Sequence, residues 1–262
     1  MTVRILCIGD VVGHPGRRIV ADGLGDLVTR HKIDCVIVNA ENAAGGSGLT
    51  VSIYEKLLAR GVHLITLGDH IYRRKEIIPV LESSEHLVRP VNLPPGAPGR
   101  EFAIHTTAGG VRVAVISALG RLFMKLPVDC PFRGVDRVLS KLPTDVRVVV
   151  VDMHAEATSE KVAMGWHLEG RSSVVFGTHT HVPTADERVL PKGTAYISDV
   201  GMTGPYDSIL GRKKDRVLSA MVTGVPKSFD IAEDDLRLCG IMAEVNAATG
   251  RAISVRRICH RG

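Results

Sequence analysis

Residues 3–10 of the chain read VRILCIGD, an apolar run from Val3 to Ile8 broken only by Arg4 and closed by Gly9 and Asp10. A run this short, ended by glycine, reads as a buried strand that hands a carboxylate to the following loop. The pattern recurs. Cys35 to Val38 leads into Asn39-Ala40-Glu41-Asn42, and Leu64 to Leu67 leads into Gly68-Asp69-His70. Val146 to Val151 leads into Asp152-Met153-His154, and Val174 to Phe176 into Gly177-Thr178-His179-Thr180-His181. Amphipathic stretches separate these runs. Arg17 to Arg30 carries Ile19, Val20, Leu24, Leu27 and Val28 at helical spacing, Thr50 to Arg60 has Thr50 or Ser52 as a cap, and Ser159 to Leu168 follows. Strands alternating with helices predict an α/β fold, and in parallel α/β sheets the carboxyl edge of the strands is where ligands bind.

The rest of the chain extends this frame. Gly9 to Gly16 reads as a loop, and so does Val91 to Arg100, with Pro94, Pro95 and Pro98. Glu101 to Thr106 and Val111 to Ser117 predict a hairpin turning at Ala108-Gly109-Gly110. A short helix is expected near Gly134 to Lys141, and Leu236 to Val245 and Ala252 to Arg257 are closing strands. There is no internal repeat and no low-complexity tract. One domain over residues 1–262, of stacked sheets flanked by helices, is the expected organisation.

Composition narrows the function classes. Aromatic residues make up 4% of the chain, leaving few rings for stacking on single-stranded nucleic acid. A net charge of +5 favours an anionic ligand only mildly, and Arg73-Arg74-Lys75 and Arg212-Lys213-Lys214 read as solvated surface. The five cysteines include no C-x-x-C pair, which argues against a disulfide framework or a cysteine zinc site and suits a reducing, cytoplasmic setting. The first strand begins beside Met1, so no signal peptide is expected. No apolar run approaches the roughly 18 residues of a membrane span.

The chemistry concentrates at five strand ends, which present Asp10, Glu41, Asn42, Asp69, His154, His179 and His181. Carboxylates and imidazoles with an amide and no thiolate suit iron, manganese or zinc better than magnesium alone. The set exceeds what one ion needs, and two ions sharing a bridging carboxylate would use it fully. Taken singly each piece is ordinary: Gly-Asp after a strand is commonly a turn, and His-x-His recurs by chance. Their coincidence is what points to a site. His63, His86, His105 and His167 lack that setting and read as structural or surface residues. Asp152, Glu156 and Asp186 are candidates to orient the histidines, or are surface charges. Gly45, Gly46 and Gly48 either let backbone approach the site or form a flexible loop, and Thr203 to Ser208 forms a site wall or a simple turn.

The order Asp10, Glu41-Asn42, Gly68-Asp69-His70, His154, His179-Thr180-His181 resembles the signature of the calcineurin-like metallophosphoesterases. The longer runs GDVVGHPGR (9–17), NAENAAGG (39–46), HAEATSEK (154–161) and HTHVPTAD (179–186) are similar to those of one bacterial branch, the 2′,3′-cyclic-nucleotide 2′-phosphodiesterases. The resemblance covers roughly residues 3–210. It implies a four-layer αββα sandwich and a dimetal phosphodiesterase that converts 2′,3′-cyclic nucleotides to 3′-nucleotides. It also implies one ion on Asp10, Glu41, Asn42 and His181, a second on Glu41, Asp69, His154 and His179, and His70 as general acid. The ions would be divalent or trivalent, iron or alternatively manganese. The expected partner is a small nucleotide, with RNA less favoured and no membrane, and a homo-oligomer is expected. The chain departs from the family at one ligand, where Asp69 stands in place of the asparagine of a Gly-Asn-His motif. A phosphatase or nuclease acting on another substrate, and a nucleotide-sensing metalloprotein with little turnover, are the alternative readings.

Overall fold

Along the first strand Val3, Ile5 and Cys7 join one apolar cluster while Leu6 and Ile8 join another, because side chains on a strand alternate in direction. Both faces are buried, so the strand reads apolar throughout. The computed structural model describes residues 1–262 as a mixed α/β structure with two sheets. The first sheet runs β10 (Gly204–Pro205), β11 (Leu236–Asn246), β1 (Thr2–Ile8), β2 (Cys35–Asn39), β3 (Leu64–Thr66), with β12 (Ala252–Arg261) also paired to β11. Strands β1, β2 and β3 are parallel, with Ile5 opposite Cys35 and Ile37 opposite Leu64. Their carboxyl ends therefore finish side by side, at Ile8, Asn39 and Thr66.

The second sheet runs β4 (Phe102–Thr106), β5 (Arg112–Leu119), β6 (Val148–His154), β7 (Val174–Thr178), β9 (Ala195–Ile197), β8 (Arg188–Val189). The β4–β5 hairpin is antiparallel as the sequence predicts, and β5, β6 and β7 are parallel, with His154 opposite Thr178. Ile5, Cys7, Ile37 and Leu64 of the first sheet share one cluster with Val113, Val115, Val150 and Phe176 of the second. On its other face the first sheet packs Leu6, Val36 and Ile65 with α1 (Gly13–His31) and α2 (Val51–Ala59). The second sheet's other face packs Ile116, Val151 and Val175 with Val135 and Val138 of α4 (Pro131–Leu139) and Met164 of α5 (Thr158–His167). No helix is long and apolar enough to cross a membrane.

Several boundaries differ from expectation. Helix α1 starts at Gly13, inside the segment read as a loop. Pro15 sits in its first turn, where a missing N–H costs nothing, and the Gly13 N–H is taken by the Asn42 carbonyl at 2.9 Å. Thr50 caps α2, accepting the Ile53 N–H at 3.3 Å. Strand β6 runs on to His154, so that histidine lies within the sheet. The sequence reading misses α3 (Ile78–Ser83), α6 (Lys214–Thr223) and the short strands β8, β9 and β10. Helix α6 buries only Val217, and its other large apolar residues, Leu218, Met221 and Val222, are exposed.

Candidate metal centre

The parallel ends of β1, β2 and β3 and those of β6 and β7 meet over one spot. Ligand atoms of Glu41, Asp69, His154 and His179 lie within 4.8 Å of one another. His154 Nε2 is 3.2 Å from Glu41 Oε2, 3.2 Å from Asp69 Oδ1 and 3.0 Å from His179 Nδ1. Gly68 makes this closeness possible, since a Cβ there would overlap both Glu41 Oε2 and His154 Nε2. The other predicted residues adjoin the group. Asn42 Nδ2 is 2.9 Å from Glu41 Oε1 and 3.2 Å from His181 Nε2, and His181 Nε2 is 3.9 Å from Asp10 Oδ1. Turning the Asn42 amide over would present its oxygen to the same point. His70 stands at the rim, with Nδ1 2.7 Å from Asn42 Oδ1 and Nε2 3.9 Å from Asp69 Oδ2.

The surroundings fix which ring nitrogen each histidine offers. The Thr178 hydroxyl donates to Asp152 Oδ1 at 2.6 Å, so it accepts from His154 Nδ1 at 2.8 Å. His154 therefore carries its proton on Nδ1 and leaves Nε2 for a ligand. His181 Nδ1 donates to the Leu210 carbonyl at 3.2 Å, and His179 Nε2 is 3.3 Å from Glu156 Oε2. Each inward nitrogen is thus free to coordinate. Asp152 is itself held by Thr66 at 2.6 Å and Asn39 at 3.0 Å, wholly buried.

The turn bearing His179 and His181 is strained, with φ of 92° and 64° at these two residues. Asp10 Oδ2 accepts the His179 N–H at 3.1 Å, and Asp199 accepts from the Thr180 hydroxyl at 2.7 Å and from Lys161 Nζ at 2.6 Å. Lys161 and Asp199 are both buried, so a desolvated ion pair lies beneath the turn.

Charge balance points to a cation. Burial pushes the Asp10 carboxyl up to about 6, with His181 and His154 opposing that rise. Its Oδ1 is buried without a hydrogen-bond partner. Burial also works against charge on His154, yet Glu41, Asp69 and Asp10 overcome it and raise the imidazole to about 10. Burial would raise Glu41, but His154 and the hydrogen bond from His70 hold it down at about 2. Asp69 is likewise held below the ordinary carboxylate range, its burial outweighed by His154. His179 falls to about 4 through burial and its neighbour His154. Carboxylates crowded around buried imidazoles are the setting in which a bound cation is stabilised. The orphaned Asp10 oxygen and the oxygen–nitrogen donor set fit transition-metal ions.

Of the supporting residues read from sequence, Glu156 touches His179 directly, and Asp152 acts on His154 through Thr178. Asp186 touches no histidine. It binds the Thr184 and Ser198 hydroxyls, each at 2.6 Å, and so fastens a neighbouring loop. Nor are the basic runs mere surface: Arg212 donates to the Gly46 carbonyl at 2.8 Å and Arg74 to the Ala44 carbonyl at 3.4 Å, clamping the turn after Asn42. Thr203 backs the site, donating its N–H to the Asp10 carbonyl at 2.8 Å. The wall beside His70 comes instead from Phe123 to Leu126. Thr178, Lys161 and Asp199 escape sequence reading, since nothing local marks a buried threonine or an ion pair 38 residues apart.

The chain resembles known proteins along nearly its whole length. The chain is 45% identical over 256 residues to a Bacillus subtilis protein named 2′,3′-cyclic-nucleotide 2′-phosphodiesterase, covering 98% of this chain and 96% of that one. A crystal structure of a hypothetical protein from Thermus thermophilus matches with TM-score 0.89 and 43% identity, covering 99% of each chain. The structure of a phosphatase from Mycoplasma pneumoniae matches with TM-score 0.93 and 33% identity, over 100% of this chain and 94% of that one. A family profile described as YmdB-like protein matches residues 6–258, and the chain belongs to that family.

Proposed function

We propose that the chain is a metal-dependent phosphodiesterase that opens 2′,3′-cyclic nucleotides at the 2′-oxygen to give 3′-nucleotides. The observation that carries this is the cluster of Glu41, Asp69, His154 and His179, whose ligand atoms converge within 4.8 Å beside the unpartnered Asp10 oxygen. The printed name of the Bacillus subtilis relative supports the substrate class. One ion is assigned to Asp10, Glu41, Asn42 and His181 and a second to Glu41, Asp69, His154 and His179, with Glu41 common to both. Iron is favoured and manganese is the alternative. The three apolar clusters, one between the sheets and one on each outer face, support a four-layer αββα sandwich in a single domain over residues 1–262. The five free cysteines suit a cytoplasmic setting.

Two such ions, when bound, act as Lewis acids on phosphoryl oxygens and lower the pKa of water. The protein's part is orientation and proton transfer. Thr178, Glu156 and the Leu210 carbonyl hold the three imidazoles in one tautomer each. His70 anchors Nδ1 on Asn42 and keeps Nε2 toward the cavity, where it protonates the departing 2′-oxygen. The hydrogen bond to Glu41 raises its pKa despite burial, which favours the protonated form that a general acid needs. Hydrolysis of 2′,3′-cyclic AMP, a phosphomonoester and RNA by one preparation of known metal content tests the reading. It expects 3′-AMP as product and the cyclic compound as preferred substrate. Preference for monoester or RNA contradicts it, and bound ions with tight nucleotide binding but no product favour a sensing role.

A further inference from the structure

Asp69, His70 and His179 line one end of a cavity of about 580 Å³, a size that suits a nucleotide. The remaining walls take no part in the chemistry above. Tyr72, Phe123, Met124 and Leu126 supply apolar surface, and Arg73 and Lys125 supply two cations. Phe123 differs from the other apolar residues of these walls. Met124 and Leu126 pack against the core, whereas the Phe123 side chain is left in solvent, 85% exposed. It is the most exposed aromatic residue among the large hydrophobic side chains that reach solvent.

Its backbone conformation is unusual. Phe123 has φ of 63°, a left-handed conformation that bulky residues rarely adopt. The loop is fastened so that the conformation persists. The buried Glu160 carboxylate accepts the Arg121 N–H at 3.0 Å and the Leu122 N–H at 3.1 Å. Gly120 lies so close beneath that a Cβ there would meet Glu160 Oε2 at 2.6 Å. A pinned, strained turn that holds an aromatic ring out at the mouth of a cavity marks a binding element.

We infer that Phe123 is the platform on which the substrate's nucleobase stacks, and that Arg73 and Lys125 supply positive charge for its phosphodiester. This rests on the cyclic-nucleotide reading above. Stacking tolerates every base because each has a π-face, and its strength grows with the size of the ring system. The platform therefore sets a preference for purines over pyrimidines without reading base edges.

The test compares the wild type, Phe123→Ala and Phe123→Tyr on 2′,3′-cyclic AMP, 2′,3′-cyclic CMP and the base-free methyl riboside 2,3-cyclic phosphate. Calorimetric binding of 3′-AMP to the same metal-loaded proteins is the second readout. For Phe123→Ala the preference in kcat/KM for the adenine compound over the base-free one falls roughly tenfold, as loss of one base–aromatic stack predicts. The cytosine preference falls less, 3′-AMP binds correspondingly more weakly, and Phe123→Tyr restores all three. A preference and a 3′-AMP affinity unchanged in Phe123→Ala overturn the platform while leaving the substrate class standing. A wild type that turns over none of the cyclic compounds overturns the substrate reading and the platform with it.

Discussion

Asp69 stands where the metallophosphoesterase motif that the chain resembles has an asparagine. Its Oδ1 lies 3.2 Å from His154 Nε2 and 3.5 Å from His179 Nδ1, and it is held in the ionised form. An ionised carboxylate binds a cation at least as firmly as an amide does. It also neutralises more of the ion's charge and repels an incoming phosphodiester. Asp69→Asn is therefore expected to keep its metal content and to raise kcat/KM roughly fivefold, equivalent to about 1 kcal/mol of transition-state stabilisation. Elemental analysis beside steady-state kinetics checks this, and a slower variant with its ions in place contradicts it. Glu41→Gln should lower the content of both ions together, because one carboxylate is assigned to both. His70→Ala should retain the ions and lose about 10²–10⁴ in turnover, the range of general-acid assistance. Full activity of His70→Ala at every pH would remove His70 from that role. The seven ligand candidates and His70 stand out in the sequence because all of them lie in the short segments that follow apolar runs. Of the tautomer-fixing partners, Glu156 stood out beside His154 in the sequence, whereas Thr178 looks like any strand residue and the Leu210 carbonyl has no sequence signature at all.

The turn after β7 shows how an element is held against its own strain. His179 and His181 both take positive φ, and the conformation is fixed from below by Asp199 and Lys161. Removing one member of a buried ion pair leaves an uncompensated charge, which typically costs about 3–5 kcal/mol. Lys161→Met is expected to lower stability by about that amount and, by loosening the turn, to weaken metal binding. Denaturant unfolding and metal titration of the variant test this, and unchanged values in both would mean that the turn stands without the pair. Strand positions were readable because buried parallel strands make short apolar runs. Helix α6 was not read although Val217, Leu218 and Met221 recur at helical spacing, and of these only Val217 is buried. The start of α1 was missed because Gly13-His14-Pro15-Gly16 has the composition of a turn; the Asn42 carbonyl accepts the Gly13 N–H and the Val12 carbonyl accepts the Gly16 N–H.

Across the whole molecule the two sheets meet through their apolar inner faces and, at one margin, through two histidines. His63 precedes β3 of the first sheet, His105 lies on β4 of the second, and their rings are 4.1 Å apart. His63 Nδ1 accepts the Val36 N–H at 2.9 Å, which requires an unprotonated nitrogen. Burial lowers His105 to about 4, helped by His63, and burial also lowers His63. A histidine with a depressed folded-state pKa contributes stability that is complete above its unfolded value of about 6.5. That contribution is lost as the pH falls from there toward the folded value of about 4. Because about half of the ring is exposed, the loss at His105 is discounted to the order of 1 kcal/mol. Unfolding free energies measured between these limits should fall less steeply for His105→Phe than for the wild type, and parallel profiles would refute the linkage. The α/β class was legible from alternating strands and helices, but the division of the strands between two sheets was not, because a strand buried on both faces carries no mark of which sheet it joins. Elemental analysis of the chain purified without chelator, with 2′,3′-cyclic AMP hydrolysis followed on the same sample, is predicted to find close to two iron or manganese ions per chain and activity that chelation abolishes; a metal-free protein with full activity would contradict it.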